Sequence, residues 1–204
     1  VNSVDRIYFP RQGITSGISL SVLKMTRGVV KTGSRRSVYL PGNEYSPFSF
    51  DRNYSARAWI NSYSPVSGKV TLLVGGDLLL TTGTDSITSG NDCWLLGGIT
   101  PLTDRSIAAV GFHPNQITVR NAGGLRLGTD IEVTRDLHLT LDLNLFALKE
   151  PDRETGFTII GGYAIGAGYM TVAGPVRIGI MHGLYDRQIL YRPVKGYVSL
   201  GFNF

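Results

Sequence analysis

The last eleven residues of the chain, 194–204, alternate between two kinds of side chain. Even positions carry valine, glycine, leucine and phenylalanine, whereas odd positions carry lysine, tyrosine, serine, glycine and asparagine. Because successive side chains of a β-strand point to opposite faces, this alternation predicts a strand with one apolar face and one polar face. Its length is typical of a strand that crosses a membrane at a tilt.

Seven earlier segments alternate in the same way, namely 14–25, 53–63, 69–81, 116–133, 137–148, 157–172 and 176–184. The alternation is cleanest in segment 137–148, where leucines occupy every odd position from 137 to 145. Apolar residues nowhere repeat with the period of a helix, and no apolar run approaches the roughly 20 residues that a membrane helix needs. The pattern therefore predicts an all-β domain of about eight antiparallel strands.

The connections between these segments alternate between longer and shorter ones. The longer connections are 30–51, 82–115, 149–156 and 185–193, and the short ones are 64–68, 134–136 and 173–175. Outer-membrane β-barrels have short turns on the periplasmic side and longer extracellular loops. The sequence therefore predicts a single transmembrane up-and-down β-barrel domain over residues 1–204, with both termini in the periplasm.

Charged and polar residues recur on the strand face opposite the apolar one. They are Arg57, Asp77, Arg120, Arg126, Asp130, Glu132, His138, Asp142 and Arg177. In a soluble β-sandwich or a lipocalin-like barrel, this face is the solvent surface and the apolar face is the core. In a membrane barrel, the charges instead line a narrow interior in which they must pair. The many large residues of the apolar face favour the membrane barrel, because a small sandwich core needs fewer of them.

Short motifs resemble those of the BamA-like superfamily of outer-membrane assembly barrels. The segment from Tyr8 to Gly13 resembles the Phe-Pro-Thr-x-Gly sequence that leads into a strand in that family. The long segment 82–115 resembles the family's sixth extracellular loop, which folds back into the barrel and carries a Val-Arg-Gly-Phe tip. The residues that carry the loop resemblance are Gly97, Gly98, Val110, Gly111 and Phe112. The terminal strand, with Tyr197, Phe202 and Phe204, resembles the family's last strand.

The chain also departs from this family. The family barrel has sixteen strands preceded by POTRA domains, whereas this chain is similar to the C-terminal eight strands alone. Val110 stands where the family has the tip arginine, and residues 145–148 lack the acidic partner of that arginine. The resemblance therefore implies a short, POTRA-less member, closest to the patatin-associated and Bacteroidetes types.

Two structural expectations follow from an eight-stranded barrel. Its narrow interior leaves little room for a long loop. We therefore expect segment 82–115 to lie over the extracellular mouth, with Trp94, Leu95, Leu96 and Phe112 at the rim. Because an open sheet edge cannot face lipid, we also expect strand 14–25 to pair with strand 194–204. The alternative is that two chains join edge to edge.

Candidate chemistry is sparse. His138 and Asp142 share the polar face four residues apart, which would suit a general base and its orienting group, but a polar interior network is the favoured interpretation. We expect no metal and no cofactor. The formal net charge of +5 comes without a basic cluster interleaved with aromatic residues, so nucleic acid is not an expected partner.

The resemblance implies a non-enzymatic protein of the Gram-negative outer membrane that acts as an interaction or assembly-accessory module. Its expected partners are outer-membrane lipid and lipopolysaccharide, an outer-membrane or periplasmic protein, and a second copy in a homodimer. One alternative is a small barrel enzyme that acts on lipid or lipopolysaccharide. Another is the barrel anchor of a larger lipase-type protein.

Overall fold

The computed structural model describes residues 2–4, 9–24, 28–32, 35–39, 52–82, 93–149, 156–172, 174–185 and 194–200. Within these ranges the regular secondary structure consists of β-strands, without a helix. Consequently none of the residues described belongs to a helix that could span a membrane. The predicted all-β class is confirmed for this part of the chain.

The strands, in chain order, are β1 (Asn2–Val4), β2 (Gly13–Lys24), β3 (Gly28–Thr32), β4 (Arg35–Tyr39), β5 (Arg52–Pro65), β6 (Val70–Thr82), β7 (Trp94–Leu96), β8 (Ser106–Ile107), β9 (Ile117–Val119), β10 (Asn121–Glu132), β11 (Leu137–Lys149), β12 (Thr158–Thr171), β13 (Gly174–Tyr185) and β14 (Lys195–Leu200). Nine of them form one antiparallel sheet in the order β1-β2-β5-β6-β10-β11-β12-β13-β14. The eight long strands of this sheet correspond to the eight predicted segments. The predicted up-and-down arrangement is therefore confirmed.

The two edges of the sheet are β1 and β14, and no hydrogen-bonded ladder joins them within the ranges that the structure describes. The predicted pairing of 14–25 with 194–204 is absent there. Instead, the edge of β2 that faces away from β5 pairs with β1, with Val4 opposite Gly13. Gly13 has a φ of 131°, and a side chain at this position would collide with the carbonyl oxygen of Ser3. Residues 201–204, with the predicted signal residues Phe202 and Phe204, lie outside the described ranges.

Two long connections contain strands that the alternation did not predict. Residues 30–51 were predicted to be a loop, but β3 and β4 pair as antiparallel strands, and residues 33–34 and 40–51 lie outside the described part. In the second connection, β7 pairs with β8 and with β9 to form a separate three-stranded sheet. The predicted strand 116–133 is consequently divided, because β9 belongs to this small sheet and β10 to the large one.

The two faces of the large sheet differ as the alternation predicts. On one face, which we call the outer face, Leu20, Leu125 and Leu200 are 77%, 64% and 75% exposed. On the other, the inner face, Asp77 and His138 are 5% and 3% exposed. This distribution is the reverse of that in a soluble sandwich, where large apolar side chains are buried and charges face water.

Candidate functional site

The inner face is covered by residues 93–119, which we call the inserted segment. Together with the sheet it forms a buried apolar cluster of Leu79, Trp94, Leu96, Ile107, Ala109, Phe112, Val119, Ala122, Phe146, Leu148 and Ile160. These sheet residues lie near the strand ends that lead into the longer connections, where the rim was expected, whereas Val110 lies further along the inner face, against Asn144 and Gly162. Phe146 and Leu148 are apolar residues on the otherwise polar face of β11. They are the sequence signal for this packing, and it was missed.

The tip of the inserted segment is held through its main chain. The side-chain amide of Asn144 donates a hydrogen bond to the Val110 carbonyl oxygen at 3.0 Å, and Lys195 Nζ donates one to the Gly111 carbonyl oxygen at 3.2 Å. A side chain on Gly162 would collide with that same Val110 oxygen, and a Cβ on Gly183 would lie 2.6 Å from the Gly111 oxygen. The glycines of β12 and β13 thus allow the tip to approach the sheet closely.

The five predicted loop-motif residues come together near this tip. Gly97 and Gly98 have φ angles of 140° and 80°, which favour glycine. The Gly98 N–H donates to the Phe112 carbonyl oxygen at 3.0 Å, which links the two halves of the motif. Gly111 has a φ of 92°, and Phe112 is fully buried. The close approach of Val110 depends on its carbonyl group, so valine is compatible with a position where the resembling family carries arginine.

A buried ion cluster joins three neighbouring strands of the inner face. The Asp77 side chain is fully buried, and Arg57 Nη2 lies 3.2 Å from its Oδ1. Arg126 Nη2 lies 2.7 Å from Asp77 Oδ2 and also donates to Asn61 Oδ1 at 3.0 Å. Of the four arginines expected to meet carboxylates on this face, Arg57 and Arg126 contact Asp77. Because a buried carboxylate needs cationic partners, Asp77 ties β6 to β5 on one side and to β10 on the other.

A second polar cluster surrounds Phe9, which precedes β2. The Phe9 ring stacks on His138 with a centroid separation of 4.0 Å and an interplanar angle of 6°. The Arg177 guanidinium lies 4.8 Å from the centre of the same ring, and a Cβ on Gly168 would lie 2.6 Å from Phe9 Cζ. Phe9 itself has a φ of 48°, which non-glycine residues seldom adopt. Phe9, near the first edge of the sheet, therefore lies against β11, β12 and β13. The sheet consequently curls around its inner face.

Ion pairs on β10 complete this second cluster. His138 Nδ1 lies 2.9 Å from Asp130 Oδ2, so Asp130, and not Asp142, is the carboxylate partner of His138. Arg11 Nη1 lies 3.5 Å from Glu132 Oε2. The candidate base and orienting group that the sequence suggested, His138 with Asp142, are therefore not paired with each other.

Three predicted residues take no part in the ion pairs described above. Arg120 is at the opposite end of β10 from Glu132, and its N–H donates to the Lys149 carbonyl oxygen at 3.0 Å. Tyr197 of β14 points inward. Its hydroxyl lies so close to Gly166 that a side chain on Gly166 would collide with it. Asp142 lines an internal cavity.

Within the described ranges, no three histidine, cysteine, aspartate or glutamate side chains are grouped as metal ligands. Comparison with models of known protein families gave no match, and comparison with curated proteins gave none either.

Proposed function

We propose that the chain is a transmembrane β-domain of the bacterial outer membrane, with its outer face in contact with lipid. The observation that carries this proposal is the exposure of large apolar side chains on every long strand of the sheet. Soluble monomers rarely expose a contiguous apolar patch above a few hundred Å². Lipid tails would cover the apolar side chains of this face, while the ion pairs of the inner face remain shielded from lipid.

In a bilayer the edges of the sheet need partners, because unpaired backbone N–H and C=O groups are costly in hydrocarbon. We propose that the two edges meet within one chain and close a barrel. The contacts of Phe9 with His138 and of Arg11 with Glu132 support this, because they draw the first edge towards later strands. The alternative closure joins the edges of two copies. Both termini are proposed to lie on the periplasmic side.

We further propose that the domain is a short relative of BamA-like barrels and acts as a non-enzymatic interaction or assembly-accessory module. In the resembling family the sixth loop folds into the barrel, and the placement of Val110, Gly111 and Phe112 against the inner face supports that likeness. A lipid-modifying enzyme is the second candidate. The stacking of Phe9 on His138 and the pairing of His138 with Asp130 favour a structural role for this histidine.

The membrane proposal predicts behaviour that is easy to measure. We expect the full chain to leave cell membranes only with detergent, and to migrate differently on gels before and after heating, because a closed barrel resists unfolding by dodecyl sulfate at room temperature. The measurement is fractionation followed by electrophoresis of heated and unheated samples. A monomer that stays in solution without detergent would contradict the proposal.

A further inference from the structure

The inner face carries a partly open cavity of about 350 Å³. It lies between Val110 at the tip of the inserted segment and Phe9, which precedes β2, and both residues line it. Four charged residues contribute to its wall, namely Arg126, Asp130, Asp142 and Arg177. Its volume is within the lower range of sites that bind small molecules in proteins.

Small residues on the neighbouring strands create the space beside Asp142. In the sheet register, Asp142 of β11 is opposite Gly128 of β10 and Ala164 of β12. A Cβ on Gly128 would lie 3.0 Å from Asp142 Oδ1, so a larger residue there would press on the carboxylate. This wall of the cavity is therefore built into the strands of the sheet.

The four charges of the cavity differ in their partners. Arg126 pairs with Asp77, and Asp130 pairs with His138. Asp142 and Arg177 make no hydrogen bond and no ion pair within 4.0 Å to any residue in the ranges that the structure describes. The Arg177 guanidinium instead lies over the ring of Phe9. One carboxylate and one guanidinium thus face the cavity and attract each other electrostatically without touching.

We propose that this cavity binds a small zwitterion, with an ammonium group at Asp142 and a carboxylate group at Arg177. A molecule with both charges satisfies the two groups together, whereas a molecule with one charge leaves the other group without a partner. Tyr63, Thr140 and Ser199, whose side chains carry hydroxyl groups, also line the cavity. The proposal does not depend on whether the outer face contacts lipid.

Because Asp142 and Arg177 occupy fixed positions on the sheet, affinity should depend on the distance between the two charges of the ligand. The probes are glycine, β-alanine, γ-aminobutyrate and ε-aminocaproate, with butylamine and butyrate as single-charge controls. Titration calorimetry uses the full chain in an uncharged maltoside detergent, or in buffer if the chain proves soluble. We expect one chain length to bind about tenfold more tightly than either control.

Two substitutions at Asp142 test the assignment. Asp142→Asn should weaken binding of the best amino acid about tenfold and leave butyrate binding unchanged. Asp142→Glu should move the optimum to a shorter amino acid, because its carboxylate extends further into the cavity. Asp104→Asn is the matched control, because Asp104 is exposed and lies outside the cavity lining. Equal binding of all probes, no binding of any probe, or wild-type binding by both Asp142 variants would overturn the proposal.

Discussion

The Asp77→Asn variant is expected to lose about 3–5 kcal/mol of unfolding free energy, because it removes the shared partner of a buried ion cluster. The Asp77 side chain is fully buried, with Arg57 at 3.2 Å and Arg126 at 2.7 Å. Asparagine keeps the shape of the side chain but not its charge, so two guanidinium groups would face each other without a counter-ion. Chemical denaturation of the purified protein measures the loss.

Two further variants calibrate this result. Arg126→Met should destabilise the protein less than Asp77→Asn, because Arg57 remains beside the carboxylate. Glu132→Gln should cost less than Asp77→Asn, because the side chains of Arg11 and Glu132 are 25% and 23% exposed, whereas that of Asp77 is fully buried. If Asp77→Asn proved as stable as Glu132→Gln, the cluster would not be buried in the folded protein.

Gly162→Ala should displace the tip of the inserted segment. A methyl group there collides with the Val110 carbonyl oxygen. Because the methyl group is attached to the main chain of β12 and the oxygen belongs to the main chain of the inserted segment, no side-chain rotation relieves the collision and the segment must move. The hydrogen bond from Asn144 to the same oxygen is then strained or lost. We expect a loss of about 1–3 kcal/mol in unfolding free energy and faster tryptic cleavage after Arg105.

The neighbouring glycine offers a matched control for this experiment. Gly161 lies on the outer face of the same strand, and a Cβ there would meet its nearest atom, the Asn144 carbonyl oxygen, at an ordinary 3.5 Å. Gly161→Ala should therefore leave both stability and tryptic cleavage unchanged. Equal cleavage rates for the two variants would mean that the tip does not rest on β12.

The long strands could be predicted from the sequence because their signal is local. Alternation alone fixes which side chains share a face, and β11 begins at Leu137 in both the prediction and the structure. The position of the inserted segment could not be predicted in this way, because its contacts link residues far apart in the chain. A partial signal was present in the apolar pair Phe146 and Leu148 and in the small residues of β12, which leave room for inserted groups.

The charged face was also predictable, but its pairing was not. His138 and Asp142 are four residues apart on one strand, which separates their Cα atoms by about 13 Å. Asp130 lies on the adjacent strand, where Glu132 is opposite His138 and Asp130 is opposite Thr140, so it is a diagonal neighbour of His138. Because the choice between the two carboxylates depends on the register of β10 against β11, the sequence of one strand does not determine it.

The central claim is that the outer face contacts lipid while the inner face is covered by the chain itself. Nitroxide labels at single cysteines along β11, in a Cys93→Ser background reconstituted into vesicles, test it most directly. Labels at Leu139, Leu141 and Leu143 should collide often with oxygen and rarely with a water-soluble nickel chelate, whereas labels at Thr140 and Asn144 should be poorly accessible to both. Frequent nickel collisions at the three leucine positions would contradict the account.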